Sequence, residues 1–474
     1  MSFNYRQFFK NFSYAVSSNL ISLLITTLVV LIVPKLIGVN EYGYWQLYIF
    51  YASYVGFLHF GWSDGIYLRE GGKTYQELDK TKIFSQFYML ILTQLLLAIL
   101  VIILAKEFIH DENKITIFNL IAITMVIMNV RSLPLFVLQA TNRIKEYAHI
   151  TITDRIIYLI LIIIALLFGV TNFEILIIAD IFGRTISLWL TIFYCRDMII
   201  RPISEFKPSF IEVFNNINVG IKLMLAFISS LLIIGVVRFG IERVWDVETF
   251  GKVSLTLSIS NLMMLLINAI GLILFPVLRR TATENLSKIY LNIRDSIMVI
   301  LLGLLILYYP LKEVMVLWLP GYKDSLMYMT LVFPMFLFEG RMALLINTYL
   351  KTMRQEKLML KVNMITLLLS VCVTFLSAVV FRNLELTVLA IVILLAFKSI
   401  FAELVLSKIL KINLVKDITG EIILTLLFII SGWFIDSWQT PIIYGLGYIV
   451  YLVIKRKNIN KTISIFKNIL ISDK

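Results

Sequence analysis

Cysteine, histidine and charge are all scarce in this 474-residue chain. Cys195 and Cys372 are its only cysteines, too few for a disulfide framework or a thiolate metal set. The three histidines, His59, His110 and His149, share no ligand spacing. There is no HExxH, no GxSxG and no His–Cys constellation, so the common hydrolytic chemistries lack their residues and no enzyme is expected. The stretch REGGKTY at 69–75 resembles the end of a phosphate-binding loop, but Tyr67 stands where that motif needs its first glycine. It reads as a turn with a basic patch beside lipid headgroups.

Charged residues make up only 15% of the chain, against about 25% in an ordinary soluble domain. Hydrophobic residues make up 59%, and the mean hydropathy is +0.89. A water-facing fold cannot hide that much apolar surface, so lipid is the solvent for most of the molecule. The formal net charge of +13 would suggest nucleic acid in a soluble protein. In a membrane protein it points instead to a cytoplasmic face rich in lysine and arginine, with membrane lipids and no nucleic acid as partners.

What the chain does have is long apolar runs. A helix needs about 20 such residues to cross the hydrocarbon core. Expected spans are 13–33, 44–65, 83–105, 115–140, 153–171, 173–195, 219–241, 253–276, 296–312, 326–350, 360–381 and 386–407. Weaker runs at 419–435 and 438–454 make the total twelve or fourteen. The first run follows Arg6 and Lys10 and precedes VPKLIG, with no small-x-small site, and reads as an uncleaved span. With the N-terminus placed in the cytoplasm, 30 of the 43 Lys and Arg fall in inner segments and 9 in outer ones. The chain is therefore expected to be an all-α polytopic membrane protein with both termini cytoplasmic. No outer loop exceeds roughly fifteen residues.

The two halves echo each other. NEYGYWQL at 40–47 matches ETFGKVSL at 248–255, and GWSDGIYLR at 61–69 matches GLILFPVLR at 271–279. NRIKE at 142–146 matches MRQEK at 353–357, NFE at 172–174 matches NLE at 383–385, and Arg131 matches Arg341, at offsets of 208–211. Such repeats suit two parallel six-helix bundles around a central cavity. The expected organisation is a bundle at 1–200, a cytoplasmic linker at 201–218, a second bundle at 219–410, and a helix pair with a basic tail at 411–474.

Four cations fall inside spans: Arg131, Arg184, Arg341 and Lys398. A cation at a helix centre costs roughly 2.5–3.5 kcal/mol on insertion scales, so these should face water or a partner. Asp180 lies one turn before Arg184, the spacing of an intrahelical ion pair. Arg131 has no acid in its span, Glu339 lies only two residues from Arg341, and Glu403 lies five residues beyond Lys398. Guanidinium groups without a local partner suit a fixed anion, which they grip in a fork. Ser18, Ser22 and Thr26 on the first span, and Ser254, Ser258, Asn261 and Asn268 on the eighth, fit either a wet interior or interhelical hydrogen bonds. Asp180, Glu339 and Asp154 are candidates for coupling to H+ or Na+, or for neutralising a nearby arginine.

LIGVNEYGYWQLYIF after the first span, GIYLRE after the second, LFPVLRR after the eighth and LWLPGYKDS before the tenth carry a resemblance. Through about residue 410 the chain resembles the polysaccharide biosynthesis flippases of the Wzx type, within the MATE-like MOP exporter superfamily. The resemblance implies two six-helix lobes in the bacterial cytoplasmic membrane. It implies flipping of an undecaprenyl-diphosphate-linked oligosaccharide to the outer leaflet by alternating access, for O-antigen, lipopolysaccharide, capsule or exopolysaccharide assembly. It further implies the polysaccharide polymerase and chain-length machinery as partners, and cavity cations among which Arg131, Arg341, Arg184 and Lys398 fit by type and depth. The helix pair at 419–454 is similar to the additional helices of lipid II flippases. A multidrug exporter of the same superfamily is the alternative, although a cavity lined by Arg and Lys repels cations. A membrane polysaccharide polymerase would need a large outer loop.

Overall fold

The computed structural model describes residues 5–264, 267 and 286–472. Every regular element among them is helical, as the apolar runs require. Eleven helices among the described residues are long and apolar enough to span a membrane, and the chain is a multi-pass membrane protein. These eleven coincide with the expected spans apart from the second, eighth and fourteenth. The inner end of the eighth, with Asn268 and LFPVLRR, lies outside the described residues.

The chain forms two compact units, Met1–Ile228 and Ser229–Lys474. The first contains α1 (Tyr5–Leu36), α2 (Val39–Val55), α3 (Trp62–Glu70), α4 (Lys80–Phe108), α5 (Glu112–Ala140), α6 (Ile144–Leu167) and α7 (Phe173–Tyr194). Aspartates start two of them: Asp79 accepts from the Lys82 N–H at 3.0 Å, and Asp111 from those of Asn113 and Lys114. Each satisfies N–H groups that a helix start leaves orphaned. Residues 201–218, expected to be a linker, give only short turns before α8 (Phe210–Val244) begins. The first turns of α8 are tied into the first unit, since Asn216 accepts from Arg69 Nη1 at 2.5 Å and donates to Gln86 Oε1 at 3.3 Å. The division between units thus falls inside α8 rather than before it.

The second span is broken, where the sequence suggested one continuous helix over 44–65. After Val55 a single 3-10 turn, Gly56–His59, leads to Phe60 and Gly61, both left-handed with φ of 54° and 80°. Two backbone carbonyls freed by the break are caught by side-chain amides. Asn129 Nδ2 donates to Val55 O at 3.0 Å, and Gln94 Nε2 donates to Leu58 O at 3.1 Å. Unsatisfied backbone groups are too costly in a membrane to be left open, so these amides make the break tolerable. Glycine then lets backbones touch. A Cβ on Gly65 would lie 1.9 Å from Asn216 O, and one on Gly220 2.0 Å from Gly61 O, so α3 and α8 cross at van der Waals contact.

The second unit contains the rest of α8, then α9 (Val247–Asn261), α10 (Leu286–Leu304), α11 (Tyr308–Trp318) and α12 (Met335–Arg341). After these come α13 (Glu356–Thr374), α14 (Leu384–Leu410), α15 (Val415–Phe434) and α16 (Thr440–Ser472). Asp246 caps α9 through the Thr249 N–H, and Asn383 caps α14 through the Leu386 N–H, both at 2.8 Å. The tenth span, Met329–Thr352, is 89% buried across its most apolar stretch, so protein surrounds it on nearly every side. It carries Arg341 at the end of α12, followed directly by a π-helical turn, Met342–Ile346. Such turns rotate the downstream side chains and often accompany functional sites.

Candidate functional site

Three of the four expected cations fall into two polar clusters, one inside each unit, and Lys398 stands apart from both. In the first unit Arg131 on α5, Asp154 and Arg155 on α6, and Asp180 and Arg184 on α7 converge. Arg131 Nη1 donates to Asp154 Oδ2 at 2.6 Å and to Ser187 Oγ at 2.7 Å. Arg184 Nε donates to Asp180 Oδ2 at 2.6 Å, the one-turn pair that the sequence spacing suggested. Tyr48 on α2 donates to the same oxygen at 2.7 Å and lies 3.0 Å from Thr124 Oγ1. Arg155 joins more loosely, 3.8 Å from Asp180 Oδ1 and 4.0 Å from Asp154 Oδ2.

Three guanidinium groups here face two carboxylates, so the cluster carries one surplus positive charge. Both aspartates are buried, at 2% and 3% exposure, while the Arg155 side chain is 24% exposed. The surplus therefore sits on the side chain that is both least tightly paired and most open. A charge in this position is held at a cost that a bound anion would relieve.

The second cluster is closed and balanced. Arg294 on α10 and Arg341 on α12 meet Glu403 on α14 and Glu421 on α15. Arg294 Nε donates to Glu403 Oε1 at 2.6 Å, and Arg294 Nη2 to Glu421 Oε2 at 3.0 Å. Arg341 Nη1 donates to Glu403 Oε2 at 3.0 Å and to Glu421 Oε2 at 3.1 Å, while its Nε donates to Ser399 Oγ at 2.7 Å. Tyr290 adds a bond to Glu403 Oε1 at 2.9 Å. None of the four charged residues is more than 2% exposed. Nearby, Lys455 on α16 bonds Asp295 at 2.7 Å and lies 2.8 Å from Asp417 on α15. The terminal helix pair is thus joined to the second unit through charge.

Lys398 donates to Ser230 Oγ at 2.8 Å and lies 3.9 Å from Glu339. Of the three expected ion-coupling carboxylates, Asp154 and Asp180 are bonded to arginines and Glu339 is the half-buried neighbour of Lys398. The apparent isolation of Arg131 and Arg341 ends in three dimensions, because their acids arrive from other helices. Among the cluster arginines, two are not singled out by the sequence, and neither is Glu421. Arg155 and Arg294 lie at the edges of apolar runs and were counted with the loops. The helices extend beyond those runs, starting at Ile144 and Leu286, which draws both arginines inside. Their adjacent acids, Asp154 and Asp295, are the signal that could have marked them.

The family described as polysaccharide biosynthesis protein matches residues 32–327. No curated protein sequence matches the chain. Among solved structures, an inward-facing multidrug resistance MATE family transporter of the MOP superfamily aligns with a TM-score of 0.62 at 13% identity. The alignment covers 83% of this chain and 94% of that one. The lipid II flippase MurJ, inward closed, aligns with a TM-score of 0.60 at 13% identity over 94% of this chain and 99% of that one. A MATE structure in the straight conformation aligns with a TM-score of 0.53 at 13% identity, covering 85% and 96%. The helical architecture therefore agrees with these structures over 83–94% of the chain, and the family match spans more than half of the sequence. The chain belongs to the polysaccharide biosynthesis protein family and shares its fold with the MATE and MurJ structures.

Proposed function

We propose that this protein is a flippase that moves an undecaprenyl-diphosphate-linked oligosaccharide from the inner to the outer leaflet of the bacterial cytoplasmic membrane by alternating access. The observation that carries the reading is the surplus guanidinium of the first unit, where Arg131, Arg155 and Arg184 face only Asp154 and Asp180. A diphosphate is a fixed anion with several acceptor oxygens, and arginine binds such groups through paired N–H donors. On this reading the first-unit arginines hold the headgroup and the lipid tail stays in the bilayer. Arg341 braces the second unit, with Lys398 placed near Glu339. The family match and the fold shared with a lipid II flippase support the same direction.

The short outer loops expected from the sequence fit a transporter better than a polymerase. A multidrug exporter for cations is disfavoured by the sign of the surplus charge, since cationic drugs would be repelled. The test uses cells whose surface polysaccharide depends on this protein. Arg131→Ala and Arg155→Gln should abolish the polysaccharide, trap lipid-linked oligosaccharide on the inner leaflet, and leave the protein in the membrane. Normal polysaccharide in both variants contradicts the reading, and drug resistance on overexpression would favour the exporter.

A further inference from the structure

One buried carboxylate in the first unit has no arginine. Asp64 sits in the first turn of α3, just past the break in the second span, and is 8% exposed. Its one charged-type neighbour within 4 Å among the described residues is His59, itself 6% exposed, with Nε2 at 3.7 Å from Asp64 Oδ2. Asp154, Asp180, Glu403 and Glu421 all have guanidinium partners. An arginine-paired carboxylate holds its charge, and protonating it would leave a buried cation unbalanced. Asp64 can take a proton without that consequence.

The geometry also defines what His59 offers. The Gly61 N–H donates to His59 Nδ1 at 3.0 Å, so Nδ1 carries the lone pair and Nε2 carries the hydrogen that faces Asp64. A metal cation between the two would need a lone pair on Nε2, which this tautomer lacks, so the pair suits a proton. At 3.7 Å the two groups are too far apart for a direct hydrogen bond, and a small side-chain movement closes or opens it. His59 lines a cavity of about 340 Å3 with Phe60, Trp62, Gln94 and Val213, which leaves its ring room to move. The charged form has support as well. Gly61, at the start of α3, offers no side-chain cap, so the helix N-terminus and its partial positive charge favour the carboxylate.

Other charged groups on the elements packed around Asp64 are already engaged or point to solvent. Arg131 on α5 is bonded to Asp154. Arg69 on α3 and Lys82 on α4 share Glu212 of α8, and Lys80 is paired with Asp197. Lys222 on α8 is exposed, and Lys106 and Glu107 lie at the far end of α4. Nearer the break, α4 and α5 present the neutral amides of Gln86, Gln94 and Asn129.

We propose that Asp64, with His59 beside it, takes up and releases the proton that drives transport. The proton comes from water, resides on the Asp64 carboxylate as a neutral carboxyl, and returns to water; the carbon skeleton is unchanged. The site lies where Gly61 and Gly65 touch Asn216 and Gly220, so a change of charge at Asp64 acts directly on the crossing of α3 and α8. The role in transport rests on the flippase reading above, whereas the proton site does not.

Infrared difference spectra of the purified full-length protein in lipid nanodiscs, taken across a pH series, read protonated carboxyl groups directly. A titrating carboxyl band is expected in the wild type. It should be lost in Asp64→Asn, retained in Asp154→Asn and displaced in midpoint in His59→Gln. A band that survives Asp64→Asn overturns the site, and a band removed by replacing K+ with Na+ overturns the choice of proton. In cells, Asp64→Asn should lose nearly all surface polysaccharide and Asp64→Glu should recover much of it. Normal polysaccharide in Asp64→Asn overturns the coupling role. The infrared arm needs no substrate, so its failure concerns the proton site alone. Failure of the flippase reading shows separately, as normal polysaccharide in Arg155→Gln.

Discussion

The two polar clusters begin from matched arginines, Arg131 and Arg341, 210 positions apart, yet they are built to opposite ends. In the second unit two arginines meet two glutamates with every charged side chain sealed from solvent. In the first, three arginines meet two aspartates and the extra guanidinium is partly open. The repeat keeps the arginine but not its partners, which come from α6 in one unit and from α14 and α15 in the other. A balanced and buried network holds helices in place, whereas an unbalanced and accessible one can hold a ligand. On the proposed function, one half of the repeat serves as the brace and the other as the site.

The sharpest way to break this contrast is to unbalance the second cluster. Glu421→Ala leaves two buried arginines with one glutamate and should cost about 3–5 kcal/mol of stability. Thermal unfolding in detergent checks this, and the pair Glu421→Ala with Arg294→Met should recover much of the loss. If the single variant melts like the wild type, the brace is not one. Next in size, Arg131→Met removes the direct partner of Asp154, but Arg155 stands 4.0 Å away and can move in. A loss of about 1–3 kcal/mol is expected, smaller than for Glu421. Tyr48→Phe removes one hydrogen bond from an aspartate that keeps Arg184, and about 1 kcal/mol is expected in the same assay. Smallest in stability is Arg155→Gln, whose long contacts are worth at most about 1 kcal/mol. Its large effect should appear only in transport.

Much of the fold was readable because a membrane leaves few options, and long apolar runs with alternating loop charge already imply a helical bundle. The broken second span was not readable, since its stability depends on Asn129 and Gln94, which reach Val55 and Leu58 from other helices. Within the clusters, Arg184 and Asp180 were legible because both lie on one helix at one-turn spacing. The partners of Arg341 are 62 and 80 residues away, a separation that no local periodicity encodes. Arg155 and Arg294 were hidden for another reason. Apolar runs define where lipid begins, and helices that continue past the lipid carry charged residues into protein interiors that hydropathy assigns to loops.

The surplus charge of the first unit can be tested by titrating undecaprenyl diphosphate into the purified protein in nanodiscs and comparing the wild type with Arg155→Gln. One lost charge-assisted contact of about 1.5–3 kcal/mol corresponds to a roughly 10- to 100-fold weaker affinity, with the melting temperature nearly unchanged. Equal affinity in the two proteins would contradict the account.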